Sequence, residues 1–266
     1  MMLRGIYAIV VLDMKRFWLN RARLFAGLAQ PLLYLFVLGA GIGASMGGAT
    51  GAMGGNRYQP FIFPGVLGLS LLFTSTFAAI TIVFDRQIGF FKAVLVSPVP
   101  RPAIAIGKIL AGALQAFLQG VVVLPFAWLA HVPFSVGSTL ELLGAMALAS
   151  ITFSALGVAV AARFTSTTVF PIVSNAVLLP MYFLSGAMFP LKMAPSWMQT
   201  AVYFDPVAYG VDLMRGALLG QFFFNPWLSL GALAGIITLL TWAAVRIFNR
   251  GEDDSSLGAT NFNWRR

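Results

Sequence analysis

The stretch Phe84–Lys108, FDRQIGFFKAVLVSPVPRPAIAIGK, decides how this chain is built. It sits between two long apolar runs, carries charges at both ends and is closed by three prolines, Pro98, Pro100 and Pro102. Phe84, Ile88, Phe91 and Leu95 repeat with the helical period and form one stripe, with Arg86 and Ala93 roughly opposite. Asp85 is expected at the start of this surface helix, where a carboxylate suits the positive end of the dipole. Ser97-Pro98-Val99-Pro100-Arg101-Pro102 then forbids further helix, because each proline lacks an N–H and restricts the residue before it. Pro102 can open the next helix. A short helix over about 84–97, a rigid corner and a new apolar helix follow.

Outward from this block the chain is lipid-solvated. Of its 266 residues 59% are hydrophobic and 9% charged, against about 25% charged in soluble domains, too few to cover a water-facing surface. The length accommodates about six spans of about 20 residues. The apolar runs predict them at about 24–43, 60–84, 103–130, 139–162, 168–186 and 226–248. Residues 24–248 thus form the transmembrane domain, and 249–266 a tail expected in the cytoplasm. Residues 1–23 read as an amphipathic helix in the membrane interface. Leu3, Ile6, Tyr7, Val10, Met14, Phe17 and Trp18 share one arc, while Asp13, Arg16, Asn20 and Arg23 fall on the other side, with the basic residues expected to face the headgroups. No cleaved signal peptide is expected, since the first apolar run follows this basic stretch and is too long for a signal core.

Six spans put both termini on one side. With that side cytoplasmic, 14 of the 17 basic residues fall inside. The net charge of +9 is then a topology signal and calls for no nucleic acid. The partner is a lipid bilayer, and the expected location is the inner (plasma) membrane, multi-pass, with both termini cytoplasmic.

Residues 187–225 are too polar and proline-broken to span. Asp205 is a good N-cap, Pro206 a good first residue and Gly220 a good stop, which predicts a helix of about 13 residues. At 1.5 Å per residue it reaches about 20 Å, short of the roughly 30 Å hydrocarbon core. It therefore lies along, or partly enters, the outer leaflet, and residues 187–225 are read as an outer re-entrant helix pair. Asp212 and Arg215, three residues apart, can pair. The element reads either as a gate at the outer end of a path or as a lid held by one ion pair.

At the quoted block the chain resembles the type-2 membrane subunits of ATP-binding-cassette exporters. Members read D/E-R-E-x-G, then a hydrophobic turn, S-P-V, an arginine and later G-K. The counterparts are Asp85-Arg86-Gln87-Ile88-Gly89, followed by Phe90 and Phe91, then Ser97-Pro98-Val99, Arg101 and Gly107-Lys108. Gln87 replaces the usual glutamate, which removes a salt bridge and leaves a hydrogen bond possible. The outer block repeats the resemblance: Ser185–Pro190, then Pro195, Trp197, and Asp205-Pro206 through Asp212 to Arg215. The resemblance implies an all-helical, six-span permease whose segment at about 84–97 is a coupling helix docking on a cytoplasmic ATPase. Pro190, Trp197, Asp205, Pro206, Asp212 and Arg215 would belong to the outer gate or lid. It further implies a second membrane subunit, expected as a homodimer, and a drug-like, polysaccharide or lipid-linked substrate.

Other classes fit poorly. One histidine, no cysteine and eight acids leave no catalytic constellation or metal-ligand cluster. Gly107-Lys108 continues into Ile109 and lacks the preceding glycine of a phosphate loop, so no ATP-binding motif is present. No cofactor is expected in this chain; ATP and magnesium would belong to the partner ATPase. An ion-coupled carrier or channel would need polar residues mid-span, where only Asn175 and a few Ser and Thr qualify. An intramembrane enzyme is less favoured still. The small residues of the third and fourth spans (Gly107, Ala111, Gly112, Ala145, Ala149, Ala155) are expected to serve close helix packing.

Overall fold

The structure, a computed structural model, describes residues 2–39, 41, 55–88, 100–132 and 135–250. Among the described residues ten α-helices carry the fold: α1 (Met2–Leu19), α2 (Arg21–Leu33), α3 (Gly55–Ala78), α4 (Ile80–Gln87), α5 (Arg101–Val123), α6 (Val136–Ala161), α7 (Val169–Leu184), α8 (Ser196–Ala201), α9 (Pro206–Leu219) and α10 (Pro226–Arg250). Among the described residues there is no strand.

Local chemistry sets the joints. Asn20 ends α1 and caps α2, its side-chain oxygen accepting from Arg23 N at 3.1 Å. Pro31 cannot donate inside α2, and the helix widens into a π-turn over Tyr34–Leu38. Pro100 is extended and Pro102 lies in the first turn of α5. Ser135 and Ser138 form a reciprocal cap on α6. Asp205 caps α9, Pro206 opens it, and Gly220 closes it in the left-handed region at φ 64°, as the sequence predicts.

Among the described residues four helices are long and apolar enough to cross a membrane: Tyr58–Gln87, Pro102–Ala127, Val136–Ala161 and Pro226–Phe248. The expected first and fifth spans appear as shorter apolar helices, Arg23–Val37 and Val169–Leu184. The 16 residues of α7 reach about 24 Å, less than the roughly 30 Å core.

The core is centred on α6, which packs against α5, α3, α9 and α10. Ala149 and Ala155 of α6 and Ala111 of α5 are buried; a Cβ at Gly112 of α5 would meet Ser154 Oγ, one at Gly210 of α9 would meet Ala149 at 3.2 Å, and Ser154 Oγ donates to Ile109 O at 2.7 Å. This agrees with the packing role expected for these residues. By contrast α10 is peripheral and exposes Trp227, Leu230, Leu239 and Trp242. An apolar exterior of this kind requires lipid or another membrane helix as its solvent.

The first helix departs from expectation. It packs lengthwise on α5, with Ile9 so close to Gly107 that a Cβ there would meet it at 3.1 Å. Asp13, expected on the polar side opposite the apolar arc, is 3% exposed, whereas Leu3, Tyr7 and Trp18 of that arc are exposed. The helix turns its acid inward and part of its apolar arc outward, because a partner charge waits inside and hydrocarbon lies outside.

Candidate functional site

Two polar constellations stand out, at opposite ends of the bundle. The first lies where α4 ends. Tyr58–Gln87 runs 30 residues with a tight turn at Ala79, about 45 Å at 1.5 Å per residue. That exceeds the hydrocarbon core by about 15 Å. The last residues of α4 therefore reach the membrane surface.

Asp85 closes this helix rather than opening one, which corrects its expected place at a helix start. It is 5% exposed and receives Arg16 Nη1 at 3.1 Å and Lys108 Nζ at 3.1 Å. Lys108 Nζ also donates to Asp13 Oδ1 at 3.1 Å and to Thr81 Oγ1 at 3.2 Å. A lysine ammonium has three protons, and these three partners use them. Asp13, Arg16, Asp85 and Lys108 balance in charge. They join α1, α4 and α5 around one buried ammonium. Removing one member of such a group costs about 3–5 kcal/mol, because it strands a buried charge.

The next two residues reach other elements. Arg86 Nη1 donates to Ala162 O at 2.7 Å, at the end of α6, and its guanidinium lies 5.4 Å from the Phe248 ring of α10. Gln87 Oε1 accepts from Thr167 Oγ1 at 3.1 Å, just before α7. Thus Asp85-Arg86-Gln87 binds five other parts of the chain: α1, α5, the end of α6, the turn before α7, and α10. The hydrogen bond left open by glutamine at position 87 is made.

Ile88 follows in a turn and is exposed, as is Phe84, so the described part of the apolar stripe is free of the bundle. Residues 84–88 belong to the end of the second span and its turn, not to the start of a separate helix. Gly89, Phe90, Phe91, Ser97 and Pro98, and with them most of the expected coupling helix, lie outside the described residues. Arg101 opens α5.

The second constellation surrounds α9. Asp212 and Arg215 do not form the expected mutual pair. Each is buried and binds backbone elsewhere. Asp212 accepts from Phe223 N at 2.7 Å and Phe224 N at 3.2 Å, holding the loop before α10. Arg215 Nη2 donates to Gly186 O at 2.9 Å and Ala187 O at 3.2 Å, and its guanidinium stacks 4.2 Å from the Phe61 ring centroid. Asp212 is held by two N–H groups, whereas Arg215 is held through Nη2 alone and its buried Nε has no hydrogen-bond partner; the two side chains act on each other through their charges without a salt bridge. Tyr58 Oη donates to Met188 O at 3.1 Å, so α3 holds the same segment. Asp205 accepts from Val207 N at 2.9 Å as cap, and burial pushes its carboxyl up to about 7 despite that bond. Pro206 is buried, Pro190 half-buried, and Trp197 exposed on the short helix α8. The outer residues thus divide into an anchored set and an exposed tryptophan.

A profile of the ABC-2 type transporter membrane family matches residues 4–219, from α1 to the end of α9. The chain belongs to the ABC-2 type transporter family. It is a transport permease subunit of that family, built from membrane-crossing helices. Nodulation protein J of Rhizobium leguminosarum bv. trifolii is 33% identical over 236 residues, covering 86% of each chain. Nodulation protein J of Rhizobium meliloti is 32% identical over 215 residues, 80% of each chain. The inner membrane transport permease YadH of Escherichia coli K12 is 26% identical over 223 residues, covering 82% of this chain and 83% of YadH.

Sequence reasoning found Asp85, Arg86 and Gln87 but missed Asp13, Arg16, Lys108 and Thr167 as their partners. One signal was available. Lys108 lies inside the apolar run Ala103–Ala113, and a charge at such depth requires a counter-charge. Asp13 and Asp85 were the acids within reach.

Proposed function

We propose that this permease is half of an exporter driven by a separate cytoplasmic ATP-binding-cassette ATPase. Two membrane halves, a homodimer in the simplest assembly, would pair with two ATPase subunits. Six spans, with α2 and α7 as the two shorter ones, would place both termini in the cytoplasm of a plasma or inner-membrane protein. The basic residues concentrated at that end support this orientation. ATP and magnesium would bind the ATPase. The substrate class is an amphipathic, drug-like or lipid- or glycan-linked molecule moved out of the cytoplasm.

One observation carries the coupling reading. The tripeptide Asp85–Gln87, from which the proline-closed segment departs, is fastened to α1, α5, α6, the turn before α7, and α10. A push on residues 84–97 would enter the bundle through these contacts at once. At the other end, Asp212 and Arg215 tie two loops to α9, an arrangement suited to a gate that moves as one piece.

The test is co-purification of the chain with its ATPase and transport in proteoliposomes. Replacing Ile88 and Phe91 with Asp should abolish ATPase association and ATP-driven transport. Unchanged association and transport in that variant would refute the docking role.

A further inference from the structure

A half-open cavity of about 250 Å³ lies apart from both constellations, between the α1–α2 junction, α3 and α5. Its apolar wall is the Phe73–Phe77 stack, with ring centroids 5.8 Å apart, together with Phe17 and Leu69. Its polar wall comprises Arg23, Gln30, Ser70, Thr74 and Gln119. Two of these are almost fully buried: Ser70 at 2% and Gln119 at 3% exposed.

The polar wall is under-used. Arg23 Nη2 and Ser70 Oγ are buried and have no hydrogen-bond partner. Gln119 Nε2 has only a long bond, 3.4 Å, to Leu24 O. Asp13 is the carboxylate whose field reaches Arg23, and it is already held by Lys108 at 3.0 Å. Unmet donors are costly among buried groups and mark an absent acceptor. A guanidinium selects carboxylate or phosphate oxygens, and the hydroxyl and amide donors add to that preference. The stacked phenylalanines beside it suit hydrocarbon, not a free ion.

We propose that this cavity binds the headgroup of an anionic amphiphile, with Arg23 holding its phosphate or carboxylate and Ser70 and Gln119 donating to it. The volume is below the 300–1,000 Å³ of sites that enclose a drug-sized ligand. It therefore takes a headgroup and the first methylenes, and the tail leaves through the open side. The ligand is either a resident acidic lipid or the cargo; both present the same chemistry to Arg23. Binding requires no ATP and no ATPase, so it stands or falls separately from the coupling reading above.

The test uses the full chain purified in neutral detergent, with native mass spectrometry and equilibrium binding. The probes are dodecyl phosphate, phosphatidylglycerol, phosphatidylcholine and inorganic phosphate. One dodecyl phosphate or phosphatidylglycerol should bind per chain. Arg23→Gln should weaken it at least about tenfold, roughly 1.4 kcal/mol, and Arg23→Lys should recover much of the loss. Ser70→Leu, which fills the cavity from α3, should block binding with Arg23 intact. Lys15→Gln, an exposed basic residue on α1, should change nothing. Equal binding of inorganic phosphate, equal retention of phosphatidylcholine, or an equal loss in Lys15→Gln would overturn the proposal. In proteoliposomes with ATPase and MgATP, a labelled phosphatidylglycerol that stays bound identifies a resident lipid. One that changes leaflet identifies cargo, and either result keeps the site.

Discussion

Lys108 Nζ and Asp13 Oδ2 meet at 3.0 Å although they are 95 positions apart, and Asp85 closes the triangle at 3.1 Å from the same ammonium. This contact fixes α1 to α5. It also explains why α1 turns its polar centre inward.

Lys108→Met should strand Asp13 and Asp85 with Arg16 as their remaining cation. The expected loss is about 3–5 kcal/mol, read as a lowered unfolding midpoint in detergent. Neutralising both acids as well, in Asp13→Asn/Asp85→Asn/Lys108→Met, should restore much of it. A single Lys108→Met chain as stable as the native one would show that the cluster holds nothing together.

Arg86→Ala should cost about 1.5–3 kcal/mol, the range for hydrogen bonds made by charged groups. It leaves Ala162 O without this donor and removes the cation from the Phe248 ring. Gln87→Glu should be neutral, because the Thr167 hydroxyl donates to a carboxylate oxygen as readily as to the amide oxygen. Comparison of unfolding midpoints distinguishes the two; a stable Arg86→Ala or a damaged Gln87→Glu contradicts the geometry.

Arg215→Lys should destabilise nearly as much as Arg215→Ala. One ammonium cannot reproduce the planar stack on Phe61 together with bonds to Gly186 O and Ala187 O. Limited proteolysis of the loop following α7 measures the release of that segment. Wild-type protection in the lysine variant would mean that the charge alone suffices.

Asp205 lies outside the membrane-spanning helices and gives a pH signature. Burial raises its folded carboxyl to about 7, from an ordinary 3.8. Between those values the folded state holds a proton that the unfolded state has released. Stability is therefore greatest below about pH 4 for this group and falls as pH rises toward about 7. Asp205→Asn keeps a capping oxygen for Val207 N and should flatten that fall relative to wild type. Parallel pH profiles for the two chains would show that Asp205 does not titrate there.

The sequence alone determined much of this protein. Its apolar runs and scarce charges required lipid and helices, since hydropathy and the 3.6-residue period are properties of neighbours along the chain. The caps of α9 were legible for the same reason: Asp205, Pro206 and Gly220 act on backbone groups a few residues away. The motif singled out the tripeptide Asp85–Gln87, which the structure places where several helices meet. Tertiary structure decided which groups met. Asp13 read as part of the outward polar side until α1 lay along α5, and Asp212 and Arg215 looked like a pair until each found backbone from a distant loop. A buried charge takes whatever partner packing delivers, and packing joins positions as far apart as 13 and 108. No local pattern encodes that choice.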